Sequence, residues 1–452
     1  MARSTTKELT SGSPMKLILG FAVPLLFGML FQQFYSLMDT IIVGRYLGVT
    51  ALAAVGATGS INFLIIGFCQ GICNGFGLPV AQRFGARDYD GVRKYVGNSA
   101  ILSVLIGGVL TALTVIFCRQ ILVLMQTPSD IIDLSYNYIV VIFAGIPAII
   151  LYNILSSYLR SLGDSITPVI FLIVAAVLNI GLDLFFIICL HWGVFGAAFA
   201  TVLSQAVSGV LCLFVIIRKF DILHLKRSDW VLDASYVRNL LIMGLPMGLQ
   251  YSITAIGSMV MQSANNGLGG DYVAAFTAGA KLKQFTMCPF DAIATSVSVF
   301  CSQNYGAGKF DRIRKGLWEG IAVGVGYGIF AGIILIFAGR PLSMIFVSKD
   351  AAGVLDASAQ YLRCMGYFYW SLGILNVTRM VTQGLGHSGR AFFSGVTEMI
   401  ARTIVCMVFV GTFGYTAICF ADQTAWIAAC CYIAPTCFYC LKKISNNIVT
   451  SL

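Results

Sequence analysis

Long apolar runs separated by short polar segments extend along almost the whole chain of 452 residues. A helix of about 20 apolar residues crosses a hydrocarbon core about 30 Å thick, and twelve runs reach that length. They lie at 17–43, 51–77, 97–117, 135–157, 165–188, 194–217, 240–264, 272–298, 316–338, 360–382, 391–412 and 416–440. The pattern predicts an all-α integral membrane protein with twelve transmembrane helices.

Composition excludes a soluble protein. Hydrophobic residues make up 58% of the chain and charged residues only 11%, whereas soluble domains carry about 25% charged residues. The 14 cysteines lie mostly within the apolar runs, where cysteine behaves as a small hydrophobic residue. We therefore expect no metal or redox centre built on them.

The net charge of +10 is concentrated in alternate loops. Basic clusters occur at 83–94, 218–227 and 309–315, and the positive-inside rule places such loops in the cytoplasm. This predicts a multi-pass protein of the cytoplasmic membrane with both termini in the cytoplasm. Helices hold these loops apart, so we do not expect nucleic-acid binding. The first run is too long for a signal peptide and stays as a helix.

An internal repeat relates the two halves of the sequence. "QRFGARDYDGVRK" (82–94) recurs as "QNYGAGKFDRIRK" (303–315), and "SLGDSITP" (161–168) corresponds to "GLGHSGRA" (384–391). "GFAVPLLFG" (20–28) corresponds to "IMGLPMGLQ" (242–250), which places Pro24 opposite Pro246. Six helices per half return the chain to its starting side, so the two six-helix lobes are related by an axis along the membrane normal. Parallel repeats of this kind build transporters.

The repeat predicts the domain organisation. The segments are a cytoplasmic N-terminal tail (1–16), an N-lobe with helices 1–6 (17–217), a cytoplasmic linker (218–239), a C-lobe with helices 7–12 (240–440) and a cytoplasmic C-terminal tail (441–452).

The loops and two helices together carry a family resemblance. The paired G-A-x-x-[YF]-D loops, "TIIVGRYLG" after Asp39, and "LRSLGDS" leading into "LNIGLD" (178–183) resemble the multidrug and toxic compound extrusion (MATE) antiporters. The resemblance covers all twelve predicted helices. It implies a two-lobed, V-shaped efflux pump driven by protons or sodium. The wider superfamily includes flippases for lipid-linked sugars.

Three polar residues in apolar runs are the candidates for ion coupling. Asp39 lies far along helix 1, and Asn179 and Asp183 lie four residues apart on one face of helix 5 at a similar depth. Burial and mutual repulsion favour protonated carboxyls, so such a pair can carry protons near neutral pH. Their oxygens would also suit sodium. The resemblance implies the same cation site in the N-lobe.

The C-terminal half carries different charges. Helices 7 and 10 lack the acids of the sodium site that some family members have, so the coupling role moves to Asp39. Lys281, Lys283 and Asp291 lie in helix 8, and one lysine is expected to face the cavity or Asp291. Glu398 and Arg402, four residues apart in helix 11, predict an ion pair that fixes helix packing, with cavity lining as the alternative.

Polar, aromatic and methionine side chains in the helices are candidates for the substrate cavity, because amides avoid lipid and methionine adapts to variable shapes. These candidates are Gln32, Tyr35, Gln70, Asn153, Gln250, Met259, Lys281, Asp291, Glu398 and Arg402. Pro24 and Pro246 remove a helical hydrogen bond early in the first helix of each half and are candidate hinges.

These observations predict a secondary antiporter that exports amphipathic organic compounds in exchange for protons or sodium. The alternative is a flippase for a lipid-linked sugar, which Lys281, Lys283 and Arg402 would suit. An enzyme is not expected, because only three histidines are present and no catalytic constellation is apparent. No cofactor is expected, and no phosphate-binding GxxxxGK[ST] loop occurs, so an ion gradient is the energy source. We expect a monomer surrounded by lipid.

Overall fold

A computed structural model describes residues 7–449, with side chains as far as residue 446. The predicted tails 1–16 and 441–452 therefore lie partly outside the described residues. Between residues 7 and 449 the secondary structure is helical throughout, and no strand occurs there.

Sixteen α-helices follow one another between residues 7 and 449. They are α1 Pro14–Leu47, α2 Val49–Gly85, α3 Tyr89–Ile116, α4 Cys118–Leu124, α5 Ile132–Ala144, α6 Ile146–Ser161, α7 Ile166–Leu184, α8 Gly193–Lys219, α9 Ala234–Asn266, α10 Gly270–Gly306, α11 Phe310–Ser343, α12 Ala352–Phe368, α13 Trp370–Gly384, α14 Ser388–Ile404, α15 Val410–Phe413 and α16 Tyr415–Val449. Phe185–Cys189 and Val405–Phe409 are π-helical, and Asp221–Leu223 and Arg227–Trp230 are 3₁₀-helical.

Ten of the described helical segments are long and apolar enough to cross a membrane. The pair α5 and α6 forms an eleventh span, with a bend of 46° at its break. The remaining predicted span, 360–382, falls on α12 and α13, which are 17 and 15 residues long and meet at Tyr369. The predicted all-α membrane architecture is confirmed, and two of the twelve spans are broken near their middle.

Backbone geometry repeats between the two halves. The breaks at Gly145 and Tyr369 occur in the fourth span of each half, and the two π-helical segments lie in the last part of the fifth. Positive φ angles recur 221–223 residues apart at Gly48 and Gly269, Arg87 and Gly308, Gly163 and Gly386, and Gly193 and Gly414. Left-handed backbone is rare and strained for most residues. Its recurrence at matched positions therefore confirms that the sequence repeat is a structural repeat.

Two compact units divide the described chain. Unit 1 contains Phe27–Gly248, and unit 2 contains Leu9–Leu26 with Leu249–Leu452 as far as the structure describes it. The chain passes from one unit to the other at Leu26–Phe27 within α1 and at Gly248–Leu249 within α9. The predicted lobes, 17–217 and 240–440, assign the first part of each of these helices to the other unit. Pro24 and Pro246 lie inside α1 and α9, a few residues before these crossing points.

Glycines allow close helix packing within unit 1. A Cβ added at Gly75 of α2 would lie 2.5 Å from Cα of Gly244 in α9, and one added at Gly71 would lie 2.7 Å from Cα of Gly248. Glycine pairs let helix backbones approach closely enough for dispersion contacts between them. The first part of α9 therefore packs directly against α2.

Substitution of Gly75 tests this contact. We expect Gly75→Ala to destabilise the protein by about 1–3 kcal/mol, because the added methyl group meets backbone that cannot move aside. Gly108→Ala is the matched control, since Gly108 is exposed on α3 with no atom within 4 Å of the added Cβ. Thermal unfolding of the purified variants measures the difference. Equal midpoints for the two variants would contradict the close packing.

Candidate functional site

The three predicted coupling residues come together inside unit 1. Asp39 lies on α1, and Asn179 and Asp183 lie one turn apart on α7. The Asp39 and Asp183 carboxyls are close enough to interact with each other. Asn179 and Asp183 are fully buried, with exposed fractions of 1% and 0%. Two acids from distant parts of the sequence therefore meet, Asp183 fully buried and Asp39 half-buried.

Polar groups from two further helices complete this cluster. Tyr35, one turn before Asp39, and Tyr138 on α5 both interact with the two carboxyls. Nδ2 of Asn179 donates to Oγ1 of Thr201 on α8 at 3.4 Å, and Tyr35 interacts with the Gln205 side chain one turn further along α8. We call Tyr35, Asp39, Tyr138, Asn179, Asp183, Thr201 and Gln205 the acidic cluster.

Several oxygens of the acidic cluster lack a hydrogen-bond donor. Oδ1 of Asp39, Oδ1 of Asn179 and both carboxylate oxygens of Asp183 are buried and have no hydrogen-bond partner among the described residues. Buried polar atoms are nearly always hydrogen-bonded, and an unmet carboxylate oxygen is costly. The proximity of Asp39 and Asp183 does not remove this cost, because two ionised carboxylates have no proton to donate to each other.

A small cation bound between these oxygens would satisfy them. A proton shared by Asp39 and Asp183 converts one acceptor into a donor and removes one negative charge. A sodium ion is a hard cation and takes oxygen ligands, which carboxylates, the Asn179 amide and the Thr201 hydroxyl can supply. The geometry therefore fits cation binding at the acidic cluster.

Sequence reasoning identified Asp39, Asn179 and Asp183 and named Tyr35 only as a cavity residue. It missed Tyr138, Thr201 and Gln205 as their neighbours. A signal was available for the last two, since Thr201 and Gln205 lie four residues apart on one helical face in an otherwise apolar run. Nothing in the local sequence of Tyr138 distinguishes it from other aromatic residues. A π-helical segment follows directly after α7, and such segments are frequent at functional sites.

The predicted cavity residues of unit 1 lie on three helices. Gln32 and Tyr35 lie on α1, and Gln70 lies on α2; all three are half-buried. Nδ2 of Asn153 on α6 donates to the carbonyl oxygen of Ile149 at 2.8 Å, within its own helix. Of these, Tyr35 belongs to the acidic cluster.

In unit 2 the predicted cavity residues lie on α9, α10 and α14. Gln250 is buried on α9, and its Oε1 accepts from Nε2 of Gln383 at 2.6 Å. Met259 and Lys281 are half-buried on α9 and α10. Asp291 lies further along α10 and accepts from Nδ2 of Asn376 at 3.4 Å.

Glu398 and Arg402 do not pair with each other, which corrects the predicted ion pair. Glu398 instead accepts from Nη2 of Arg379 on α13 at 2.8 Å, and Nε of Arg379 donates to Oγ of Ser394 at 2.8 Å. Arg402 pairs with Asp422 on α16 at 2.9 Å. Partners on neighbouring helices compete better than an i,i+4 partner, because they allow each long side chain to extend across the helix interface.

Of the two lysines of which one was expected to face the cavity or Asp291, Lys283 has a partner that sequence reasoning did not consider. It forms an ion pair with Asp422 rather than Asp291. Asp422 is fully buried and accepts from Lys283, from Arg402 and, at 3.0 Å, from the Tyr361 hydroxyl. Sequence reasoning did not single out Asp422 or Arg379. Both are lone charges in long apolar runs, which is the signal that identified Asp39.

A family profile and two known proteins are similar in sequence to most of this chain. The sequence profile of the MatE family matches residues 24–185 and 246–418. A probable multidrug resistance protein, YoeA of Bacillus subtilis (strain 168), is 29% identical over 395 residues, which cover 84% of this chain and 83% of that protein. A FAD transporter of Shewanella oneidensis (strain MR-1) is 25% identical over 364 residues, with 80% of each chain covered.

Solved structures share the fold. The structure of a multidrug resistance MATE family transporter of the MOP superfamily, in an outward-facing conformation, superposes with a TM-score of 0.91. It is 22% identical and covers 98% of this chain and 99% of that chain.

Proposed function

The chain belongs to the MatE family of multidrug efflux transporters, and from this premise we propose that it is a secondary antiporter coupled to protons or sodium ions. It would export amphipathic organic compounds across the cytoplasmic membrane. Asp39, Asn179 and Asp183 would bind the driving cation. The observation that carries this proposal is the set of buried, unpartnered oxygens at Asp39, Asn179 and Asp183.

Charge at the acidic cluster would drive the cycle. With the cation absent, two carboxylates repel each other in a medium of low dielectric constant, and the arrangement is strained. Binding of a proton or sodium ion removes that repulsion and lets the α1 and α7 side chains approach. The cation would thus select one arrangement of α1, and the substrate another.

Pro24 is placed to let α1 respond. It lies two residues before the peptide bond Leu26–Phe27 at which α1 passes from unit 2 to unit 1, and Pro246 has the matched place in α9. Proline leaves one carbonyl of the preceding turn without its helical donor, so bending there costs less. We propose both prolines as hinges.

The remaining assignments follow from the same premise. The cavity candidates would contact small-molecule substrates, both termini would face the cytoplasm, and the protein would act as a monomer that needs no cofactor. The names of the relatives do not favour a flippase for lipid-linked sugars. The FAD transporter extends the range of solutes carried by similar proteins to a dinucleotide, so organic anions belong among the compounds to be tested.

Transport driven by one ion at a time tests the proposal. We expect purified protein in proteoliposomes to move a fluorescent amphipathic cation when either a pH step or a sodium step is imposed, and not in the absence of both. Protein-free liposomes are the control for leakage. Transport that is equally fast without any ion gradient, and accelerated by neither step, would contradict the antiporter.

A further inference from the structure

Unit 2 contains a buried charged cluster at the place that corresponds to the acidic cluster of unit 1. The buried positions 168, 172, 175, 179 and 183 of α7 recur 223 residues later as buried positions 391, 395, 398, 402 and 406. At this spacing Asn179 corresponds to Arg402, and Tyr138 corresponds to Tyr361.

The correspondence extends to the last helix of each half. Gly193, the first residue of α8, and Gly414, directly before α16, both have positive φ, so the two helices align at a spacing of 221 residues. Thr201 then corresponds to Asp422. Tyr361, Arg402 and Asp422 are in contact in unit 2, as their counterparts are neighbours in unit 1. The repeat has therefore kept the position of the cluster and changed its charges.

This unit 2 cluster has more positive than negative charge. Lys283 and Arg402 both pair with Asp422, which leaves one surplus positive charge. Glu398, one turn before Arg402, is held by Arg379. Asp291 lies eight residues beyond Lys283, which is about 12 Å along a helix that rises about 1.5 Å per residue. Glu398 also interacts with Arg402, and Asp291 with Arg379, so the surplus belongs to Lys283, Arg402 and Asp422 taken alone and not to the wider network. We call Lys283, Tyr361, Arg402 and Asp422 the basic cluster.

Donors of the basic cluster are available for another group. The Arg402 side chain is only 3% exposed, and its Nη1 is buried without a hydrogen-bond partner among the described residues. It faces Gly257 of α9, where an added Cβ would lie 2.7 Å away. Lys283 is 17% exposed at its side chain, and its ammonium group lies 5.8 Å from the centre of the Trp426 ring. The Trp426 ring is itself buried, whereas the partial exposure of Lys283 lets a ligand reach the lysine.

From this arrangement we infer that the basic cluster binds the anionic group of an amphipathic organic solute, a carboxylate or a phosphate, through Lys283 and Arg402. Charge-assisted hydrogen bonds from an ammonium and a guanidinium group are the usual means of holding such anions. Asp422, whose oxygens are already occupied by Lys283, Arg402 and Tyr361, positions the two cations rather than touching the solute.

A purely structural network would look different. Buried ion pairs that only fix packing are balanced in charge and have their donors satisfied, because an unpaired buried charge is costly. Here one buried guanidinium nitrogen, Nη1 of Arg402, has no partner among the described residues. The inference rests on the proposed function in one respect, because it takes the bound molecule to be a transported solute. Binding of that molecule is measured without any ion gradient.

A matched probe series tests the inference. Pyrenebutyrate, pyrenebutanol and pyrenebutyltrimethylammonium share one apolar body and differ in charge. Binding to the full chain in phosphatidylcholine nanodiscs is followed by energy transfer from tryptophan to pyrene, with empty nanodiscs subtracted. We expect the butyrate to bind at least about tenfold more tightly than the alcohol, as one or two charge-assisted hydrogen bonds would give.

Variants assign that preference to the basic cluster. Lys283→Gln should remove most of the tenfold difference, and Lys283→Arg should keep it because the positive charge remains. Lys315→Gln removes an exposed lysine elsewhere in unit 2 and should change nothing. Equal binding of butyrate and alcohol to the wild type, or an unchanged preference in Lys283→Gln with unchanged thermal unfolding, would overturn the inference.

Two further measurements separate the possible sources and the two proposals. Displacement of pyrenebutyrate by phosphatidylglycerol in the nanodisc would assign the anion site to a lipid headgroup, and lack of displacement would assign it to a free solute. If the wild type shows no preference for the anion but still exports the cationic probe down an ion gradient, only the basic cluster is contradicted. Tight butyrate binding with no response to either ion step contradicts only the antiporter.

Discussion

Asp39→Asn is expected to abolish efflux driven by an ion gradient while leaving the protein folded. Asparagine has nearly the same shape as aspartate but carries no charge and binds no proton. The variant also removes the repulsion between residue 39 and Asp183. The free energy of unfolding should therefore stay the same or rise, because a buried, poorly solvated carboxyl is costly.

Two assays on the same proteoliposomes distinguish lost coupling from lost binding. Gradient-driven efflux by Asp39→Asn should fall to the rate of protein-free liposomes, whereas exchange of labelled for unlabelled substrate without a gradient should persist. Asp133→Asn is the control, because Asp133 is an exposed acid of the same unit, in a surface ion pair with Arg119. If Asp39→Asn pumps at the wild-type rate down the same gradient, the coupling role of the acidic cluster is wrong.

Asp422→Ala is expected to have the largest effect on stability. The substitution leaves Lys283 and Arg402 facing each other with no anion between them, and removes the acceptor of the Tyr361 hydroxyl. Breaking a buried ion pair from one side typically costs about 3–5 kcal/mol. Since two cations lose their partner here, we expect little folded protein in membranes and a clearly lower midpoint of thermal unfolding.

Asp356→Ala is the matched control for this substitution. Asp356 accepts from Nε of Arg340 at 2.8 Å, but the side chains of Asp356 and Arg340 are 66% and 49% exposed. Exposed pairs contribute little because water and salt screen them. Replacing Lys283 and Asp422 together, by Met and Asn, should recover part of the stability lost in Asp422→Ala, because it removes one of the two unpaired cations. A wild-type midpoint for Asp422→Ala would contradict the ion pairs described for unit 2.

The sequence was informative about the membrane helices because hydrocarbon imposes a simple rule. Every backbone group in the bilayer must find its partner within the helix, so each span has to be a long apolar run. The ends of most runs lie within several residues of the helix ends in the structure. The breaks at Gly145 and Tyr369 were not predicted, since the hydrophobic pattern of an apolar run is the same whether the helix is straight or broken.

Prediction of the acidic cluster was more complete than that of the basic cluster. Asp39, Asn179 and Asp183 stand out because charges are rare in such runs and two of them share a helical face. Glu398 and Arg402 also share a face, yet each contacts another helix. The choice of partner depends on which long side chains meet across an interface, and sequence spacing within one helix does not contain that information.

The sequence by itself determined that the chain is a helical membrane protein with an internal repeat and isolated polar groups in its spans, because apolar length, charge and self-similarity can be counted along a chain. Only the tertiary structure decided which of these groups meet: Asp39 with Asp183, Arg379 with Glu398, and Lys283 and Arg402 with Asp422. The physical reason is that the energy of a buried charge depends on its nearest opposite charge, and those neighbours come from other helices.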